Sequence, residues 1–125
     1  MNPLLELDNI TCRYQGHTAV EDLSLHVNQG DLFCLLGPSG CGKTTALRAI
    51  AGFENITTGQ IRLRGEAVST SHTTLPPEKR RIGMVFQDYA LFPHLNVCCN
   101  VCFGLHGKAK QERIRIADEM LEIVG

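Results

Sequence analysis

The chain contains 125 residues, of which 43% are hydrophobic and 20% are charged. Its 12 lysines and arginines nearly balance its 13 aspartates and glutamates, so the formal net charge at pH 7 is −1. This balance provides no strongly basic surface for nucleic acid, and the apolar fraction is too high for a disordered tail. By length alone, one ordinary domain is expected.

No targeting or membrane-spanning segment is predicted. The first ten residues, Met1–Ile10, have no basic residues ahead of an apolar run, and Glu6 and Asp8 interrupt that run. The longest apolar stretches are far shorter than the roughly 20 residues that cross a bilayer. We therefore expect a soluble, cytoplasmic protein.

The first elements in chain order are predicted strands. Leu4–Ile10 and Ala19–Val27 alternate apolar and polar residues, which is typical of strands with one solvent-exposed face. After a turn at Asn28–Gly30, Leu32–Leu36 is apolar throughout. A continuous apolar run of this length predicts a strand covered on both faces, as in a parallel α/β sheet.

The middle of the chain predicts a loop, a helix and two further strands. A glycine-rich loop at Gly37–Gly42 precedes Lys43–Gly52, whose apolar residues recur at helical spacing. A short strand is predicted at Gln60–Leu63. The polar stretch Ser69–Arg81 reads as a loop, and Ile82–Phe86 is another apolar run of strand length.

From Pro93 onward the pattern is helical. One helix is predicted near Val97–Gly104 and a firmer one near Lys110–Val124, where apolar residues share one face. The alternation of strands and helices places the chain in the α/β class.

One sequence motif indicates a specific chemical function. The sequence satisfies G-x-x-x-x-G-K-[ST] with Gly37, Pro38, Ser39, Gly40, Cys41, Gly42, Lys43 and Thr44. Glycines bring backbone N–H groups close to phosphate oxygens, and the positive end of the following helix points at the same phosphates. Lys43 would reach the β- and γ-phosphates, and the Thr44 hydroxyl would bind Mg²⁺. The motif predicts nucleotide phosphates and Mg²⁺ as ligands and by itself leaves kinases, GTPases and other ATPases open; an ordinary glycine-rich turn is the alternative.

Three segments resemble the ATP-binding subunits of ABC transporters, in particular the importers of iron(III), polyamines and similar solutes. These segments read GPSGCGKTTALRAIAGFENITTGQI (37–61), LPPEKRRIGMVFQDYALFPHLNV (75–97) and NVCFGL (100–105). The resemblance implies a P-loop NTPase with a RecA-like ABC ATPase core built on a parallel sheet, an antiparallel β subdomain and the start of a helical subdomain. It places the β subdomain and core in residues 1–92 and the helical subdomain in residues 93–125.

The same resemblance assigns roles to individual residues. Tyr14 would stack on adenine, although it could be an ordinary strand aromatic. Thr45 would join the phosphate-binding residues, and Gln87 would be the Q-loop glutamine that contacts Mg²⁺ or the attacking water. Gln87 is expected at the carboxyl end of a strand, where open α/β sheets place ligand groups, or else is a solvated loop residue. Lys43 and Gln87 are the expected catalytic residues.

The resemblance also implies partners. These are the membrane subunits of a transporter, a second ATP-binding subunit in a homodimer and, indirectly, a solute-binding protein, with the chain at the inner face of the cell membrane. Residues Asp88–His94 would form part of the groove for a membrane subunit, although burial of Tyr89, Leu91 and Phe92 against the protein's own helices is an equally good account. The stretch Ser69–Arg81 most resembles iron(III) importers, so iron(III) is the expected solute.

Two departures from the family pattern stand out. Asn96–Asn100 reads NVCCN, so the helix lacks the acidic residue that the family has in its first turn. An LSGGQ-like signature, a strand ending in Asp-Glu and a switch histidine are also missing, and Asp118-Glu119 lies in a helical pattern. We therefore expect the N-terminal part of an ATPase domain, with a non-hydrolysing nucleotide-binding module or an inactive fragment as alternatives.

The chain has six cysteines, and Cys99 and Cys102 form a lone C-x-x-C. A zinc site needs a second pair of ligands at similar spacing, and His94 and His106 do not supply that pattern. A structural role is expected, with metal or redox chemistry left open.

Overall fold

The structure, a computed structural model, describes residues 3–125. The chain divides into two compact units, Met1–Met84 and Val85–Gly125. The predicted boundary between residues 92 and 93 stays a prediction. Met1 and Asn2, with which the predicted first subdomain begins, lie outside the described residues.

The first unit contains a four-stranded antiparallel sheet. Within residues 3–125 its strands are β1 (Leu5–Tyr14), β2 (His17–Val27), β3 (Thr58–Leu63) and β4 (Glu66–Thr70), in the order β2-β1-β3-β4. Turns with two positive φ angles match the right-handed twist of paired strands. Gln15 and Gly16 form such a turn between β1 and β2, and Arg64 and Gly65 form the other between β3 and β4.

One helix, α1 (Lys43–Ala51), packs on this sheet and completes the core. Gly52 ends it in the left-handed conformation, with φ 98°, and its N–H donates to the carbonyls of Arg48 and Ala49. The core joins small residues of the helix to apolar residues of the strands: Leu7, Ile10, Cys12, Val20, Ala46, Ala49, Ile56, Ile61, Leu63 and Val68. A short 3-10 turn (Pro77–Lys79) follows β4.

The second unit contains two helices, α2 (Val97–Val101) and α3 (Lys110–Val124), within the part of the chain that the structure describes. Asn96 caps α2, since its side chain accepts a hydrogen bond of 2.8 Å from the Cys99 N–H. The first turn of α2 has no acidic residue, as the sequence indicated. Arg115 and Glu119 on α3 form an ion pair at 2.7 Å.

Most predicted elements are confirmed, but the parallel core sheet is not found. Among residues 3–125, neither Leu32–Leu36 nor Ile82–Phe86 is a strand. A strand requires a hydrogen-bonded neighbour, and all pairings of the sheet are antiparallel contacts among β1 to β4. Leu35 and Ile82 are half-buried against the core, whereas Leu32, Leu36 and Val85 are 96%, 91% and 98% exposed.

The predicted loop Ser69–Arg81 was wrong at its start. Ser69 and Thr70 belong to β4, and Ser69 is fully buried. The strand forms because the tight turn at Arg64–Gly65 returns the chain along β3, with Gln60 opposite Thr70 and Leu63 opposite Glu66. A five-residue strand with one large apolar side chain gives little periodicity to read in the sequence.

Candidate functional site

The loop Gly37–Thr44 leads into α1 and packs against β2. Gly42 is the residue before the helix and has φ 93°. A Cβ atom at this position would lie 2.1 Å from the carbonyl oxygen of Ala19, so only glycine fits between the loop and the strand. The positive φ of Gly40, 84°, provides a second bend in the same loop.

Lys43 reaches back across this loop. Its ammonium group donates hydrogen bonds to the carbonyl oxygens of Gly37 and Pro38, the latter at 3.1 Å. The Cys41 N–H donates to the Pro38 carbonyl at 3.3 Å, which closes the turn through Ser39 and Gly40. A positive charge is thereby held inside the curve of the loop, beside the positive end of the helix dipole.

The residues next to Lys43 present further polar groups. Thr44 is exposed in the first turn of α1, and Thr45 is half-buried. The first N–H groups of a helix have no partner within the helix, so they are available to an anion. The structure therefore brings together, in one continuous segment, all the residues predicted to bind phosphate: Gly37, Pro38, Ser39, Gly40, Cys41, Gly42, Lys43, Thr44 and Thr45.

A cleft of about 220 Å³ adjoins the loop on its β2 side. It is lined by Ala19, Val20, Glu21, Leu23, Leu35, Leu36, Cys41, Gly42, Lys43 and Ala46. Tyr14 does not line it. The Tyr14 side chain lies at the end of β1, opposite His17, and is 59% exposed, so its ring has an accessible face for stacking.

Gln87 lies in the second unit and is exposed. The expectation that it ends a strand is wrong in the described chain, because residues 82–86 do not form a strand there. Its role as the Q-loop glutamine stays a prediction.

The residues after Gln87 were expected either at an interface or buried against the protein's own helices, and the structure shows some of each. Tyr89 and Leu91 are exposed, as an interface would require. Phe92 instead packs on Phe103 of its own unit, with ring centroids 4.3 Å apart. Asn100 fixes Phe92 further, since its side chain accepts from the Phe92 N–H at 2.9 Å and donates to the Phe92 carbonyl at 3.3 Å.

The C-x-x-C pair lies on and just after α2. Cys99 is exposed and Cys102 is buried, and the Cys102 thiol contacts the Cys99 carbonyl at 3.9 Å. Burial, followed by nearby Cys102, Asp118 and Cys99, raises the pKa of Cys98. Residues 3–125 contain no cluster of three or more histidine, cysteine or acidic residues suited to a metal ion.

The role of Arg80 was not predicted from the sequence. The residue lies in a segment that reads as a polar loop, whereas its side chain is 2% exposed and makes five hydrogen bonds. The only signal was an arginine followed by a second arginine, Arg81, in a segment with two prolines. Nothing local distinguishes the buried arginine from the exposed one.

A family described as "ABC transporter" matches residues 20–125, which include the whole loop and α1. The chain belongs to the ABC transporter family. A bacterial Atm1-family ABC exporter with ATP bound has a similar structure, with a TM-score of 0.74 at 29% identity, covering 88% of this chain and 19% of the exporter chain.

Two curated bacterial relatives are named for polyamine import or transport. The spermidine/putrescine import ATP-binding protein PotA of Nitrosospira multiformis is 51% identical over 97% of this chain and 33% of its own length. The putrescine transport ATP-binding protein PotG of Escherichia coli is 47% identical over 100% of this chain and 32% of its own length. The chain thus spans about a third of the length of these relatives. Within the described residues, no helix is both long and apolar enough to span a membrane.

Alkylation of Cys41 provides a first test of the site. Cys41 is exposed in the loop predicted to bind phosphate, so a maleimide is expected to modify it, and MgATP at about ten times its Kd should slow that modification roughly tenfold. Peptide mass spectrometry would follow each cysteine, with the exposed Cys99 as internal control. Buried Cys12, whose pKa is raised by burial and then by Glu54, should react slowly in both conditions. Equal Cys41 rates with and without MgATP would contradict the site.

Proposed function

We propose that this chain is the nucleotide-binding part of a transport ATPase that energises solute import. The observation that carries the proposal is Lys43, whose ammonium group is held inside the loop by Gly37 and Pro38 at the start of α1. This arrangement presents one fixed cation, several backbone N–H groups and a helix N-terminus to the same small volume. Such a combination suits the β- and γ-phosphates of ATP.

Mg²⁺ fits the donors that the chain offers. Mg²⁺ binds oxygen ligands, keeps several waters and is commonly held by one or two protein groups plus substrate phosphates. The exposed Thr44 hydroxyl supplies one such oxygen beside the phosphate loop, and we propose the Gln87 amide oxygen as another. When bound, the ion would neutralise charge on the transferring phosphate. Lys43 would hold the same phosphate, and Tyr14 would stack on the adenine.

The relatives' names bear on the solute. Both PotA and PotG are named for polyamine transport, and neither is named for iron. We therefore propose a polyamine such as putrescine or spermidine as the solute; the expectation of iron(III) gains no support from these relatives. The proposal includes membrane subunits, a second ATP-binding subunit, an indirect role for a solute-binding protein and a position at the inner face of the membrane.

Nucleotide binding is tested by calorimetry with MgATP. Replacement Lys43→Ala removes a charge-assisted contact to phosphate and is expected to weaken binding at least about tenfold. Lys108→Ala is the matched control, because Lys108 lies in the second unit and forms an ion pair with Glu112 at 3.7 Å. Equal affinity of the Lys43→Ala variant and the wild type would refute the proposed site.

Phosphate release separates hydrolysis from binding alone. Release that Lys43→Ala abolishes would support an ATPase, whereas binding without release would support the alternative of a non-hydrolysing module. The identity of the solute is tested by uptake measurements in the organism that encodes this chain. Deleting the coding region should lower uptake of labelled putrescine and leave iron(III) uptake unchanged. Loss of iron(III) uptake alone would overturn the polyamine assignment.

A further inference from the structure

The buried guanidinium of Arg80 joins three segments of the first unit. Its Nε donates to the Leu75 carbonyl at 2.7 Å. One terminal nitrogen donates to the carbonyls of Ala49 and Ile50 at 3.0 and 3.1 Å, at the end of α1. The other donates to the Val68 carbonyl at 3.0 Å and the Ser69 hydroxyl at 2.7 Å, both in β4.

All five N–H donors of this arginine are therefore used, and none of these five acceptors is a carboxylate. A buried cation without a counter-ion is costly unless its donors are satisfied. The last carbonyls of a helix lack partners within the helix and carry its negative dipole end, so they are suitable acceptors for a cation. Burial lowers the pKa of Arg80, but an arginine starts so high that it stays charged at neutral pH.

The backbone around the Arg80 side chain leaves space for it. Gly52, just after α1, has φ 98°, and a Cβ atom there would lie 2.8 Å from Arg80 Nε. Ser69 is fully buried and directs its hydroxyl to the guanidinium. The 3-10 turn at Pro77–Lys79 positions the arginine itself, since the Arg80 N–H donates to the Pro77 carbonyl at 3.1 Å.

The helix held by Arg80 is the one that begins with Lys43. With nine residues and a rise of 1.5 Å per residue, α1 is only about 13 Å long, so a tilt at its C-terminal end moves its N-terminal end too. The N-terminal end rests on β2 through Gly42 and Ala19, and Arg80 joins the other end to β4 by hydrogen bonds to both elements. Displacements of about 1 Å caused by a distant change can alter enzyme rates on the order of 100-fold.

We infer that Arg80 is a positioning residue for the phosphate-binding loop: it holds the C-terminal end of α1 against β4 and thereby sets the place of Lys43 and Thr44 relative to a bound nucleoside triphosphate. This inference rests on the proposed function. Arg80 itself does not belong to the loop and acts through the helix.

Calorimetry with MgATP separates this role from a loss of stability. Lysine offers three donors in place of five, so Arg80→Lys removes at least two of the five hydrogen bonds that join α1, β4 and Leu75. The expected result is a Kd raised roughly tenfold with an unchanged binding stoichiometry. A purely structural role would lower the stoichiometry, because part of the protein would be unfolded, and leave the Kd of the folded part unchanged; that result would overturn the inference.

The neighbouring arginine supplies the control. Arg81→Lys makes the same chemical change one residue away on an exposed side chain and should leave both the Kd and the stoichiometry as in the wild type. Ser69→Ala removes only one acceptor and should raise the Kd by a smaller factor. If Arg80→Lys does not fold, Ser69→Ala replaces it: a raised Kd with unchanged stoichiometry supports the positioning role, and an unchanged Kd overturns it. Wild-type protein that binds no MgATP would refute the proposed function and this inference with it, whereas wild-type binding with an unchanged Kd in the variants would refute this inference alone.

Discussion

Replacing Gly42 by alanine is expected to abolish nucleotide binding. The new Cβ would lie 2.1 Å from the Ala19 carbonyl oxygen and 3.1 Å from a methyl group of Val20. The residue would also have to keep φ 93°, a left-handed conformation that costs a residue with a Cβ about 1 to 2 kcal/mol. The chain can relieve both only by moving the start of α1 away from β2, which displaces Lys43. We expect MgATP affinity to fall at least about 100-fold by calorimetry.

The control for this prediction isolates backbone strain. Gly30 has nearly the same φ, 89°, but a Cβ there would meet no atom within 4 Å, and the residue lies outside the phosphate-binding loop. Gly30→Ala should therefore lose some stability and keep the wild-type Kd. An affinity of Gly42→Ala within about threefold of the wild type would show that the contact with Ala19 does not set the loop.

The elements that sequence analysis predicted well are those with local determinants. The helix at Lys43–Gly52 has apolar residues at helical spacing and a glycine at its end, and the structure places α1 at Lys43–Ala51 with Gly52 as the left-handed cap. The helix Lys110–Val124 is confirmed at both ends. The geometry of the loop Gly37–Thr44 was likewise predictable, because its glycine bends and the Lys43 hydrogen bonds involve only backbone within eight residues.

The predicted parallel sheet is not found among the described residues, because the evidence for it was not local. An apolar run such as Leu32–Leu36 shows that a segment is suited to burial between layers, but it does not show which segment pairs with it. In the described chain Phe33 and Leu36 are exposed, and no neighbouring strand hydrogen-bonds to this run. We expect such a surface to bind hydrophobic dyes and to promote self-association.

Arg80 was missed for a related reason. Its five acceptors come from positions up to 31 residues away in the sequence, at Ala49, Ile50, Val68, Ser69 and Leu75. Composition and periodicity describe Arg80 and Arg81 alike as charged residues of a polar segment. Only the folded structure distinguishes them, because Arg80 is buried and hydrogen-bonded to both α1 and β4, whereas Arg81 is exposed.

Gly59→Ala is expected to cause the largest loss of stability in the sheet. Gly59 lies in β3 with φ 89°, and a Cβ there would lie 2.4 Å from the Asn9 carbonyl oxygen and 2.5 Å from that of Asp8. Both oxygens belong to the backbone of β1, where the pairing with β3 shifts register between Asp8 and Thr11. Asn9 has φ 47° in this irregular segment, so the bulge and the glycine fit each other.

An alanine at Gly59 must push β1 and β3 apart at the centre of the sheet. We expect the free energy of unfolding to fall by about 3 kcal/mol, measured by urea titration of the sheet's circular dichroism signal. Gly65→Ala is the control, because Gly65 has φ 83° in the turn after β3 but open space around its Cβ position. It should cost only the strain of its conformation, about 1 to 2 kcal/mol. Equal losses in the two variants would mean that the close approach of β1 to Gly59 contributes nothing, and that backbone conformation alone requires glycine at this position.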